Sequence, residues 1–155
     1  MTPRPVYFDC DTGIDDALAL AYLMDCPEIT LAGIGTVSGN IDAAQAAVNT
    51  LDLLALGGMP DVAVAVGASH PLTRAFNGGV PHIHGRNGVG NVELPHTDRR
   101  PSAESAADLL VRLAHEHQGE LLRRRVRTQD VRAARSVGGG DRGGSDHGEA
   151  SAVGA

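Results

Sequence analysis

The sequence predicts an α/β protein: a doubly wound, Rossmann-like parallel sheet with flanking helices, incomplete as a domain and followed by a tail of different character. Three observations carry this reading. Short apolar runs alternate with segments of helical period, the pattern of β-α-β crossovers. The second run, Ile29 to Val37 (ITLAGIGTV), is apolar throughout, as a strand buried on both faces of a parallel sheet must be. Polar residues gather where the runs end, at the carboxyl ends of strands, where open α/β sheets bind ligands.

The elements follow in order. Val6-Tyr7-Phe8 leads a first strand, and Thr12-Gly13 makes the turn into a helix that ends before Pro27. Ala17, Leu18, Leu20, Ala21, Leu23 and Met24 make that helix apolar around much of its girth, as expected where it packs on a sheet. Ser38-Gly39-Asn40 closes the second strand. Asp42 to Leu56 is a second helix, with Asp42 as N-cap and Gly57-Gly58 as its stop. Val62 to Val66 is a short third strand. Gly67 to Arg100 is a long segment rich in Gly, Pro, His and Asn, and loops of this length in a compact domain are commonly functional. Ser102 to His117 is a third helix, with Ser102, Glu104 and Ser105 offering caps and Ala106, Leu109, Leu110, Leu113 and Ala114 forming a core stripe.

Composition narrows the function. The 155 residues are 42% hydrophobic and 21% charged, enough for one domain with a core. Aromatics are scarce and Trp is absent, so Ala, Val, Leu and Ile must build that core. The net charge of −6 gives no support for nucleic-acid binding. No apolar run is long enough to span a bilayer, and the N-terminus lacks the pattern of a signal peptide. Two cysteines, Cys10 and Cys26, fit free thiols in a cytoplasmic protein better than a disulfide.

The chemistry concentrates in VYFDCDTGIDDALAL, Val6 to Leu20. Asp9, Asp11, Asp15 and Asp16 fall within eight residues. Alternation along a strand sends Asp9 and Asp11 the same way, and Asp15 and Asp16 occupy the first turn of the helix, where the dipole favours negative charge. Helix capping explains one aspartate, not four. So many carboxylates in one crevice require a compensating cation, and an all-oxygen site selects Ca²⁺ or Mg²⁺. An EF-hand does not fit, because Leu20 stands where its closing Glu is needed. His82 and His84 have the look of a zinc half-site, but nothing is spaced to complete it.

DCDTGIDDALAL resembles the N-terminal D-x-D-x-G-x-D-D signature of the inosine-uridine preferring nucleoside hydrolases. Thr36-Val37-Ser38-Gly39-Asn40 resembles the family's second segment, and His82-Ile83-His84-Gly85 with Gly88 and Gly90 resembles its third. The resemblance runs from about Pro5 to Gly119. It implies a calcium-dependent hydrolase that cleaves the N-glycosidic bond of nucleosides to ribose and free base, and full-length relatives that form homo-oligomers. It further implies that Asp11 is the general base and a calcium ligand, Asp16 a second ligand, and Asp9 a support for the metal from close by. Asp15 and Asn40 would bind ribose hydroxyls, and His84 would face the nucleobase. Asn87 and Asn91 depart from the family pattern. A D-x-D after a first strand also resembles haloacid-dehalogenase-like Mg²⁺ phosphohydrolases, in which Asp9 would be the nucleophile. Those enzymes need a later Lys, and all 13 basic residues here are Arg.

The sequence reading divides the chain into residues 1–120, the N-terminal part of a nucleoside hydrolase domain, and 121–155, an Arg/Gly-rich tail expected to be disordered. Seven arginines there against four acids leave about +3, too dilute for a nucleic-acid arm. Where the family continues with a buried strand, this chain reads LLRRRVRTQDV, which suggests out-of-frame translation of a GC-rich gene. On this reading the family's C-terminal half is absent, the chain has little hydrolase activity, and a three-stranded sheet leaves an edge exposed.

Overall fold

In a computed structural model, residues 2–125 are described. The elements are β1 (Arg4–Cys10), α1 (Ile14–Asp25), β2 (Ile29–Thr36), α2 (Ala43–Leu56), β3 (Val64–Val66), α3 (Pro81–His84), α4 (Ala106–Glu116) and β4 (Leu122–Arg125). The sheet has the order β3-β2-β1-β4, and every pairing is parallel. The chain winds outward from β1 through β2 to β3, then returns through α4 to the other side of β1. That reversal makes the sheet doubly wound and places the topological switch point beside β1.

Alternation along β1 divides the core between two faces. Phe8 and Cys10 face α1 and α2, packing with Leu20, Ile34, Ala47, Leu51, Leu54 and Val64. Tyr7 faces α4, packing with Ala65, Ala106, Leu109 and Leu113. Its phenol donates to the Ala106 carbonyl at 2.8 Å, and it reaches there only because Gly35 has no side chain in its path. Burial and the nearby Asp9 charge push the phenol up to about 12. The β1–β2 register slips by one residue after Val6, where Ala32 is the extra residue of a bulge.

The predicted elements are present, with four differences. The third helix begins at Ala106 rather than Ser102, because the Ser102 N–H donates to the Val64 carbonyl and holds that residue extended along β3. Ser105 takes over as N-cap: its hydroxyl accepts from the Asp108 N–H and donates to the Asp108 carboxylate. Within the long loop, α3 forms a single turn. Along α1 only Leu20, of the apolar residues, is fully buried, while Leu18 and Tyr22 are exposed.

The fourth difference concerns the boundary at residue 121. Leu122–Arg125 pairs with Val6–Asp9 as β4, so the sheet has four strands where three were expected, and the edge of β1 is covered. Parallel pairing next to β1 decides this against the polar composition of LRRR. The remainder of the expected tail, 126–155, lies outside the described residues.

Candidate functional site

The carboxylate segment is the turn between β1 and α1. Thr12 anchors it: buried, its hydroxyl lies 2.8 Å from that of Thr50 on α2. Thr50 donates to the Ala46 carbonyl, so Thr12 must be the donor in the pair. Cys10, just before, is a free buried thiol pushed up to about 12 by burial, and Cys26 is also free.

The turn brings the carboxylates of two elements together. The Asp11 N–H donates to Asp16 Oδ2 at 3.0 Å, folding the start of α1 back onto the end of β1. Asp11 Oδ2 accepts from the Asn40 N–H at 2.7 Å, which fastens the end of β2 to the same point. Ser38 holds that second turn by accepting from the Ala43 N–H. Two glycines make the approach possible. A Cβ at Gly39 would run into the Asp11 carboxylate. A Cβ at Gly13 would stand 2.5 Å from Asn40 Nδ2, 2.7 Å from His84 Nδ1 and 2.9 Å from Asp15 Oδ1. Gly13 is therefore the floor of a notch walled by Asp15, Asn40 and His84, residues far apart in sequence.

Electrostatics set this crevice apart. Asp16 is buried, and its carboxyl is pushed up to about 7, first by that burial, then by the charge of Asp11 and a hydrogen bond shared with it, then by Asp15. Asp15 Oδ1 is buried without a hydrogen-bond partner. Two crowded carboxylates and an orphaned carboxylate oxygen form a set that a hard cation and a hydroxylated ligand would satisfy.

Asp9 stands apart from this group. Its Oδ2 pairs with the guanidinium of Arg123 on β4. Among the described residues no three His, Cys, Asp or Glu side chains converge as a metal-holding group. Of the expected metal set, Asp11 and Asp16 are joined by a hydrogen bond, while Asp9 is paired with Arg123. Asp11 and Asp16 fit a cation as two donors of a larger set.

Other residues act from behind. Asn87 and Asn91 brace the loop against itself: Asn87 Oδ1 accepts from the Val89 and Asn91 N–H groups, and Asn91 Oδ1 accepts from the Arg86 N–H. Asn49, buried on α2, donates to the Asn87 carbonyl at 2.7 Å and ties the loop that carries His84 to the core. Sequence reasoning missed Asn49, although an Asn on the apolar face of a helix is a signal in itself, since a buried amide needs partners.

Comparison with known proteins shows the family and the fold. The family model described as inosine-uridine preferring nucleoside hydrolase matches residues 6–123. Uridine nucleosidase 1 of Arabidopsis thaliana is 41% identical over 117 residues, covering 73% of this chain and 34% of the relative. The inosine-uridine preferring nucleoside hydrolase of Leishmania major is 36% identical, with 75% and 37% covered. Among solved structures, a plant nucleoside hydrolase superposes with a TM-score of 0.77 at 32% identity, over 81% of this chain and 40% of that one. A purine-preferring ribonucleoside hydrolase from Gardnerella vaginalis superposes with a TM-score of 0.76, also at 32% identity, over 87% and 44%. The chain spans about a third of the length of these curated relatives. With a match from β1 into β4, this chain belongs to the inosine-uridine preferring nucleoside hydrolase family.

Proposed function

We propose that this crevice is the ribose- and metal-binding part of a ribonucleoside hydrolase site, and that the domain to which it belongs cleaves the N-glycosidic bond of nucleosides to ribose and free base. The observation that carries the reading is the convergence of Asp11, Asp15, Asp16 and Asn40 at the carboxyl ends of β1 and β2, beside the switch point.

Breaking a C–N glycosidic bond passes through an oxocarbenium-like transition state, so it needs an activated water and a fixed ribose. Asp11 is the residue to accept the proton of that water. Its Oδ2 is held by the Asn40 N–H, which sets the direction of the other oxygen. The free Oδ1 of Asp15 accepts from a ribose hydroxyl, and the Asn40 side-chain amide, across the notch, both donates and accepts. A calcium ion held by Asp11 and Asp16 would neutralise the two carboxylates and lower the pKa of a bound water. The relatives named for uridine and for inosine-uridine suggest a nucleoside, met through its ribose, as the small-molecule partner.

Among the described residues Asp11 and Asp16 supply two carboxylates where Ca²⁺ takes about six to eight oxygens, so the chain is expected to bind the ion weakly and to turn over little or no nucleoside. A ribose-release assay with uridine and inosine checks this, and robust chelator-sensitive turnover would refute it. The functional reading is tested by a chimera in which residues 6–119 replace the matching segment of the Arabidopsis uridine nucleosidase. Chelator-sensitive ribose release that is lost on Asp11→Ala supports the assignment. A folded but inactive chimera sinks it.

A further inference from the structure

Helix α1 has Gly13 at its N-cap and therefore no side-chain cap of its own, yet its first N–H is not left bare. The Ile14 N–H donates to Nδ1 of His84, 70 residues further along the chain, at 3.1 Å. We propose that His84 is a positioning residue that caps α1 through Nδ1, and that it can meet a ligand only as an Nε2–H donor.

A backbone N–H only donates, so the ring nitrogen facing it must be the bare one. The neutral imidazole then carries its proton on Nε2. The ring is placed by main chain. The Val80 N–H donates to the Asn40 carbonyl at 3.0 Å, the His84 N–H to the Val80 carbonyl at 3.0 Å, and the Gly90 N–H to the His84 carbonyl at 2.7 Å. One turn of helix thus hangs from the end of β2 and delivers the imidazole to the start of α1, where it is 12% exposed.

The consequence falls on Asp15. Its Oδ1 lies 3.7 Å from His84 Nδ1, beyond hydrogen-bond length, and with Nδ1 bare there is no proton between them. The opposite tautomer would set its Nδ1–H against the Ile14 N–H. The cap therefore holds the first turn of α1 in place while leaving Asp15 Oδ1 without a partner. The cap stands on geometry alone; the ligand-facing role of Nε2–H rests on the nucleoside reading. That edge selects a hydrogen-bond acceptor on the ligand.

Long-range ¹⁵N–¹H correlation spectra of the whole chain, with labelled histidine and the ring neutral, read the tautomer directly. The Nε2–H pattern is expected for His84, and an Nδ1–H pattern overturns the proposal. Amide exchange at Ile14 tests the cap. In His84→Asn the Oδ1 stands near the place of Nδ1, and protection is retained. In His84→Gln and His84→Ala, exchange accelerates about tenfold. Equal protection in the Asn and Ala variants also overturns it. Neither readout needs turnover, so an inactive chimera would count against the nucleoside reading while the cap is judged separately; the tautomer measurement uses the unmodified chain and does not depend on any variant folding.

Discussion

Two residues make the crevice sensitive in different ways. Gly13 has an ordinary negative φ, so only space, not backbone strain, forbids a side chain there. Gly13→Ala is expected to push Asp15, Asn40 and His84 apart, weakening ribose binding by calorimetry while the melting temperature changes little. Asp16 responds to pH. Its folded pKa of about 7 lies above the ordinary 3.8, so the stability it contributes is fully present below about pH 4 and is lost as pH rises through 7. Without calcium, the chain should therefore lose stability across that window in denaturant titrations. Asp16→Asn should flatten the slope, and calcium at pH 8 should recover part of the loss by binding the folded state. An unchanged slope in Asp16→Asn would show that burial and Asp11 do not perturb this carboxyl.

At the scale of elements, the site depends on attachments behind it. Asn49→Leu would leave the Asn87 carbonyl without its donor, at a cost of about 1–3 kcal/mol. Chemical denaturation reads that cost, and loop amides near His84 should lose protection together. Ser105→Ala removes the cap of α4 and should cost about 1 kcal/mol. These boundaries show what sequence reading can and cannot see. Asp42 is a legible N-cap, because its carboxylate accepts from Ala44 and Gln45, its own neighbours. Ser102 misled because its partner, the Val64 carbonyl, is 38 positions away and belongs to a strand edge. The strand at Leu122–Arg125 was illegible for the same reason: its partner is β1, and no local period marks it.

For the whole molecule, β4 decides whether β1 is an interior strand or an edge. Deleting residues 121–155 should lower the melting temperature and promote association through the uncovered edge of β1, measurable by light scattering. If the deletion leaves both unchanged, the strand contributes nothing and the sheet is effectively three-stranded. The Asp9–Arg123 pair joins this question to the site, since β4 carries the arginine that occupies Asp9. Arg123→Ala should release that carboxylate, and a gain in calcium affinity by calorimetry would show that the pair competes with the ion.

The sequence by itself determined the α/β class, the strand-turn-helix carrying Asp11, Asp15 and Asp16, the stop at Asn40 and the family. The first three rest on local period, turn chemistry and spacing, and the family on the resemblance of its motifs, all of which a chain displays without folding. Only the tertiary structure decided that Asn40 binds Asp11, that Asn49 supports the loop, that Arg123 takes Asp9, and that a bare histidine nitrogen closes the start of α1. Each of these depends on groups from distant segments meeting within hydrogen-bond range, and crossovers and backbone register set those distances, leaving no trace in local composition.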